Sequence, residues 1–155
     1  MQPSKTTVIG LFNAPFQYQI PIFQRGYVWT LEKQVAPLWS DIQSQADALL
    51  ERQQLTSGAT TAMKPLPKHF LGSIVMTPVP NAFGRVPMYE VIDGQQRCTT
   101  LHLLLLAMHH AAKDSGQTSV AQMAAAVVRN PGPYLVDAND QHKVWPTQAG
   151  RQEMQ

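Results

Sequence analysis

Four polar residues that could take part in chemistry, together with one glycine, lie between two apolar segments of the chain, at positions 93–97. Residues 88–92, just before them, alternate in polarity and are rich in β-branched and aromatic side chains, which predicts a strand. Residues 99–113, just after them, are apolar almost all round, which predicts a buried helix. The polar residues are therefore predicted to form a strand-to-helix turn. They are Asp93, Gln95, Gln96 and Arg97, and the glycine among them is Gly94.

Such a turn suits the binding of an anion. The first backbone N–H groups of a helix have no partner within the helix, and the positive end of the helix dipole lies behind them. Gly94 lets a ligand approach the backbone, Arg97 offers a fork of donors that fits phosphate, and Asp93 can hold a metal ion or a hydroxyl group. Gln95 and Gln96 add neutral amides. The same residues also fit a plain helix start, with Asp93 as the N-cap and Arg97 on the surface.

A second unusual stretch, residues 22–29, places a Gln-Arg-Gly sequence among large aromatic side chains. Arg25 lies between Phe23 and Tyr27 in sequence, and packing against such neighbours would aim its donors at a phosphate or a base. Aromatic residues at this density are also typical of a hydrophobic core. The stretch by itself is compatible with both uses.

The remaining elements follow from periodicity and turn residues. Residues 16–20 alternate as a half-buried strand, whereas residues 6–12 fit either a strand or a helical turn. Thr30 is the expected N-cap of an amphipathic helix that packs on the core and runs to about Arg52, kinked or restarted at Pro37. Residues 53–68 are predicted to be a surface loop.

Residues 69–76 are apolar and predict an interior strand, and residues 78–87 then turn the chain into the strand before Asp93 as a hairpin. The expected fold class is α+β. A small mixed sheet, with segments near 17–21, 71–77 and 88–92, is covered by helices near 31–52 and 99–113.

Composition sets the outer limits. The chain has 155 residues, of which 44% are apolar and 14% charged, which is typical of one domain with a real core. A formal charge of +2 is too small to indicate a nucleic-acid surface. Cys98 is the only cysteine, which excludes an intrachain disulfide and predicts a reducing compartment such as the cytoplasm. No apolar run approaches the roughly 20 residues of a membrane span, so no membrane contact is expected.

No metal site is predicted from side-chain spacing. Cys98 and His102 share a helix face at a spacing of four residues, but packing against neighbouring elements is the expected role of both side chains. His109 and His110 are adjacent and point to different sides of the helix, and a structural or solvent-facing position is expected for His142.

Three separated motifs, in matching order and spacing, resemble the N-terminal domain of the GmrSD-type modification-dependent restriction endonucleases. The resemblance covers roughly residues 6–150, with residues 143–147 as its last segment, although Ala149-Gly150 departs from the acidic residue expected soon after. The motifs are Ile20-Pro21 with Phe23-Gln24-Arg25-Gly26-Tyr27-Val28-Trp29, then Phe70-Leu71-Gly72-Ser73-Ile74-Val75, then Ile92-Asp93-Gly94-Gln95-Gln96-Arg97 with Thr99-Thr100-Leu101.

The resemblance implies a ParB/sulfiredoxin-like nucleotide-binding core, formed by residues 1–155 as a single N-terminal domain. In this family the Asp-Gly-Gln-Gln-Arg motif is associated with binding and hydrolysis of nucleoside triphosphates, and the whole enzymes defend bacteria by cutting modified phage DNA. The expected cofactor is a nucleoside triphosphate (GTP, UTP and ATP are not distinguished), together with Mg²⁺. The residues expected to contact the nucleotide are Gln24, Arg25, Gly94, Gln95, Gln96 and Arg97, with Asp93, Arg97 and Arg25 in catalytic roles.

The complete family enzymes also carry a C-terminal domain that resembles an HNH nuclease, with a metal site built from His and Asn. No such unit is visible in this sequence. The chain is therefore expected to be a fragment of, or truncated relative to, a longer nuclease. Its expected partner is an HNH nuclease domain or subunit.

Three functions from different classes remain open at this point. The first and favoured one is a regulatory nucleoside triphosphatase in which Arg97 holds phosphates and Arg25 stabilises charge on the γ-phosphate. The second is a module that binds DNA or senses its modification by stacking a base on the aromatic cluster of Phe23, Tyr27 and Trp29. The third is a structural domain that docks a partner. A P-loop is excluded because the sequence has no Gly-Lys-Ser/Thr motif.

Overall fold

A computed structural model describes residues 3–21, 23–56, 68–80 and 83–145. The chain divides into two compact units, one formed by residues 1–27 with 73–155 and the other by residues 28–72. The expectation of one domain over residues 1–155 stays a prediction. No helix in the described part of the chain is long and apolar enough to cross a bilayer.

The described elements are four helices and four strands, together with short π- and 3₁₀-helical turns. The helices are α1 (Val8–Asn13), α2 (Ala36–Thr56), α3 (Gln95–Asp114) and α4 (Thr118–Val128), and the strands are β1 (Gln17–Gln19), β2 (Val75–Val79), β3 (Met88–Asp93) and β4 (Val144–Trp145). The segment that fitted either a strand or a helix is thus α1.

The four strands form one mixed sheet in the first unit, in the order β2-β3-β1-β4. β2 and β3 pair antiparallel as the expected hairpin, whereas β1 runs parallel to both β3 and β4. The register places Tyr18 between Tyr89 on one side and Val144 on the other. The expected α+β class, with a small mixed sheet and packed helices, is confirmed.

The strand expected over residues 69–76 is misplaced. β2 begins only at Val75 and lies at an edge of the sheet, and Phe70 is 81% exposed. The backbone of Gly72 has a φ of 97°, which is incompatible with an extended strand. Pro78, expected in the following turn, lies within β2, where an outer strand tolerates proline.

The core of the first unit lies between α3, α4 and the inner strands. Leu101 and Leu105 are buried there, while Leu103 is exposed, so α3 is covered on one side rather than all round. His102 contacts the carbonyl oxygen of Val128 through Nε2 at 3.1 Å, which joins α3 to α4. Sequence reasoning did not anticipate α4, although its alanine-rich sequence is typical of a helix.

In the second unit, Thr30 is the N-cap of a short π-helical turn, as expected from its side chain. α2 follows directly, with Ala36 still helical and Pro37 in its first turn, and it extends past Arg52 to Thr56. No described side chain of α2 is fully buried, and the expected packing of this helix on the core stays a prediction. The rest of the loop predicted over residues 53–68 falls mostly at residues 57–67, outside the described residues.

Candidate functional site

The predicted strand-to-helix turn is present at residues 93–97. Asp93 is the last residue of β3, where it pairs with Val75, and Gly94 is the N-cap of α3. No side chain caps the helix start, so the alternative in which Asp93 is the N-cap is wrong. No side-chain cap therefore competes with an anion for the first backbone N–H groups of α3.

The fold of the protein, rather than a ligand, requires a glycine at position 94. Its φ is 85°, in the left-handed region that glycine adopts at little cost. A Cβ atom at this position would lie 2.8 Å from the carbonyl oxygen of Ser73 and 3.1 Å from the Cα atom of Ile74. The backbone just before β2 therefore occupies the space next to Gly94, and close approach of a ligand at this residue stays a prediction.

The two unusual stretches of the sequence meet through glutamine side chains. Gln24 Nε2 donates to the carbonyl oxygens of Val91 at 2.9 Å and Ile92 at 3.1 Å. In the opposite direction, Gln95 Nε2 donates to the Arg25 carbonyl oxygen at 2.9 Å, and Gln96 Nε2 donates to that of Gly26 at 3.0 Å. We call Gln24, Gln95 and Gln96 the glutamine clamp.

Tyr27 adds a further link between the stretches. Its hydroxyl group lies 2.8 Å from Thr100 Oγ1, which itself donates its proton to the Gln96 carbonyl oxygen at 2.7 Å. Because Thr100 has only one proton to give, Tyr27 is the donor in the first bond. The ring of Tyr27 is exposed, and that of Phe23 is 83% exposed. Trp29, the other expected stacking residue, belongs to the second unit and is half-buried.

The charged groups of the site are at least partly accessible, and no oppositely charged partner is found for them among the described residues. Arg25 and Asp93 are exposed, and Arg97 is half-buried, with its Nη1 donating to the Ser73 carbonyl oxygen at 2.5 Å. Among the described residues, none of the three belongs to an ion pair. Arg85, in contrast, pairs with Asp137 and Asp140. The two site arginines therefore carry positive charge that no described carboxylate neutralises.

Sequence reasoning identified the residue types of the site but not how they are used. It expected the Gln24, Gln95 and Gln96 amides to contact a nucleotide, which stays a prediction; in the structure all three donate to backbone carbonyl groups. It also missed Ser73 and Thr100. The only signal for this use was the density of glutamine next to glycine and arginine in both stretches.

Cys98 and His102 belong to the core, as expected. Both are almost fully buried, and burial raises the pKa of the Cys98 thiol to about 12 and lowers the pKa of His102. Within the described residues no group of three or more His, Cys, Asp or Glu side chains is arranged to hold a metal ion.

One further buried charge lies outside this site. Lys143, just before β4, is 0% exposed, and its Nζ donates to the carbonyl oxygen of Ala14. No described carboxylate pairs with it. Burial lowers the pKa of its ammonium group to about 8.

Compared with known protein families, residues 8–153 match the family described as "GmrSD restriction endonuclease, N-terminal domain". The matched range contains every residue of the site. No curated protein and no solved structure matches the chain. The ParB/sulfiredoxin-like core therefore stays a prediction.

Proposed function

Because the chain belongs to the family of GmrSD restriction endonuclease N-terminal domains, we propose that it is a nucleoside-triphosphate-binding, and hydrolysing, regulatory domain of a modification-dependent restriction system directed at phage DNA. One observation carries this proposal: the glutamine clamp joins the stretch that carries Arg25 to the turn that carries Arg97, and no described carboxylate pairs with either arginine. A polyphosphate is a ligand that would neutralise both guanidinium groups at once.

The proposed roles follow from the position of each group. Arg97 and the backbone N–H groups after Gly94 hold phosphate oxygens at the start of α3. Arg25, on the neighbouring stretch, stabilises the charge that develops on the γ-phosphate. The clamp holds the two stretches together while the ligand binds.

Asp93 is the residue that would hold Mg²⁺. Its carboxylate is exposed at the end of β3 and is not used in any described ion pair. One carboxylate suffices in this role, because Mg²⁺ usually takes one or two protein carboxylates and completes its shell with phosphates and water. The ion would supply charge neutralisation to the phosphates.

The direct test is titration calorimetry of the chain against ATP, GTP, CTP and UTP, with and without Mg²⁺. We expect at least one triphosphate to bind and Arg97→Ala to weaken its binding by about 1.5–3 kcal/mol, the range for a charge-assisted hydrogen bond. Arg129→Ala, an exposed arginine at the end of α4, is the matched control and should bind like the parent. Absence of binding to all four triphosphates, or unchanged binding by Arg97→Ala, would refute the proposal.

Arg25→Ala is expected to affect hydrolysis more than binding. A group that acts mainly on the transition state lowers kcat when it is removed, by about 10²-fold for one preorganised donor, and changes the ground-state affinity much less. Phosphate release under saturating triphosphate gives kcat, and calorimetry gives Kd. An equal loss in both quantities would show that Arg25 serves binding only.

The exposed rings of Phe23 and Tyr27 beside Arg25 support a second candidate function, in which the same surface stacks bases of modified DNA. This function predicts a different signature. Affinity for single-stranded DNA would fall steeply with salt, with a logarithmic slope of about −0.7 for each phosphate contacted. Salt-dependent DNA binding without triphosphate binding would favour this candidate.

A further inference from the structure

The stretch that carries Arg25 is held in place by side chains rather than by the backbone. We call residues 23–27 the strap. Among the described residues, its only backbone–backbone hydrogen bond is the local one from Gln24 N to the Pro21 carbonyl oxygen, at 3.2 Å. Its links to β3 and α3 are the glutamine clamp and the bond between Tyr27 and Thr100.

We propose that Gln95 and Gln96 are positioning residues, which fix the strap so that the Arg25 guanidinium faces the bound triphosphate, and that they do not contact the nucleotide themselves. This inference rests on the proposed function. Gln95 and Gln96 are only 9% and 7% exposed, and each donates its Nε2 to a strap carbonyl group. Their side chains are therefore already turned into the protein.

Gln95 shows that this arrangement is not explained by stability alone. Its Nε2 must face the Arg25 carbonyl oxygen, since the reversed amide would bring two oxygens together. Its Oε1 is then buried without a hydrogen-bond donor in the described part of the chain. A buried acceptor without a partner costs folding free energy. An apolar side chain of similar shape removes both the unpaired Oε1 and the bond to the strap. Such a variant should therefore release the strap without lowering the stability of the fold.

Gln95→Met is such a variant, with Gln122→Met on the exposed surface of α4 as the matched control. The thermal midpoint of Gln95→Met should equal or exceed that of the parent. Trypsin cleavage of the folded chain after Arg25 should become roughly tenfold faster, as expected when one restraining hydrogen bond is lost. Gln96→Met should accelerate cleavage in the same way. Cleavage at the parental rate in both variants would overturn the proposal, whether or not a triphosphate binds.

A double-mutant cycle then tests whether Gln95 acts through Arg25. Gln95→Met should lower kcat for triphosphate hydrolysis by roughly tenfold in the parent but leave the kcat of Arg25→Ala unchanged, because the group that it positions is already absent. Independent, multiplicative losses would mean that Gln95 contacts the ligand, and the proposal would be wrong. A parent that binds no triphosphate refutes the proposed function instead, while trypsin cleavage still decides whether the clamp restrains the strap.

Discussion

Replacement of Gly94 by alanine is expected to destabilise the first unit by about 2–4 kcal/mol, through two effects that add. An L-residue at a φ of 85° pays for the left-handed backbone, and its Cβ atom would lie 2.8 Å from the Ser73 carbonyl oxygen. The start of α3 and the backbone before β2 must then move apart. Urea unfolding followed by circular dichroism measures the loss, and triphosphate binding should fall with it because Arg97 also bonds to Ser73.

Gly84→Ala separates the two effects. Gly84 has nearly the same φ, 86°, but in the described part of the chain no atom beyond its two neighbouring residues lies within 4 Å of the position that its Cβ would take. This variant should therefore lose only about 1–2 kcal/mol, the cost of the left-handed backbone. Equal losses in the two variants would show that the contact with Ser73 does not constrain Gly94.

Lys143→Met is expected to stabilise the chain at pH 7 by about 2 kcal/mol. Burial lowers the pKa of the lysine from 10.5 to about 8 in the folded state, so the buried charge destabilises the folded parent by about 3 kcal/mol at pH 7. Methionine removes this cost but also loses the bond to the Ala14 carbonyl oxygen, which is worth about 1 kcal/mol. A depressed folded-state pKa means that the parent is not penalised above about pH 10.5, loses stability as the pH falls toward 8, and changes little below that value.

The advantage of Lys143→Met should therefore be largest at pH 7 and should be lost near pH 10.5, where the cost of the buried charge has nearly gone and only the parent keeps the bond to the Ala14 carbonyl oxygen. Urea midpoints at both pH values measure it, and Lys113→Met, an exposed lysine in the last turn of α3, is the control that should show no such trend. A parent more stable than Lys143→Met at pH 7 would contradict the expectation and show that the buried ammonium group is well satisfied.

Short-range sequence patterns correctly predicted the elements that depend on alternation, leucine content and helix-capping residues. The alternation of residues 88–92 and the leucines that follow predicted β3 and α3, and the chemistry of Thr30 and Pro37 predicted how the helical segment of the second unit begins. The apolar run near Phe70 predicted a strand in the wrong place, because composition does not reveal that Gly72 adopts a positive φ.

The use of the site residues could not be predicted in the same way. A glutamine amide can donate to any nearby acceptor, and the acceptors of Gln95 and Gln96 lie about seventy residues away in the sequence. The parallel pairing of β1 with β3 places the two stretches side by side, and side-chain alternation does not encode strand order. The residue types therefore predicted a polar site. Only the folded structure shows that the amides bond to the backbone while the charged groups stay accessible.

The links of Tyr27 and Ser73 to α3 also define the path of the chain. These residues are the last before and the first after the segment 28–72, and they bond to Thr100 and Arg97, which are one helical turn apart. The polypeptide thus leaves and re-enters the first unit at neighbouring points of one helix. In topological terms the segment is an insertion whose two flanking residues are both tied to α3, so a linker in its place would join two points that the first unit itself fixes.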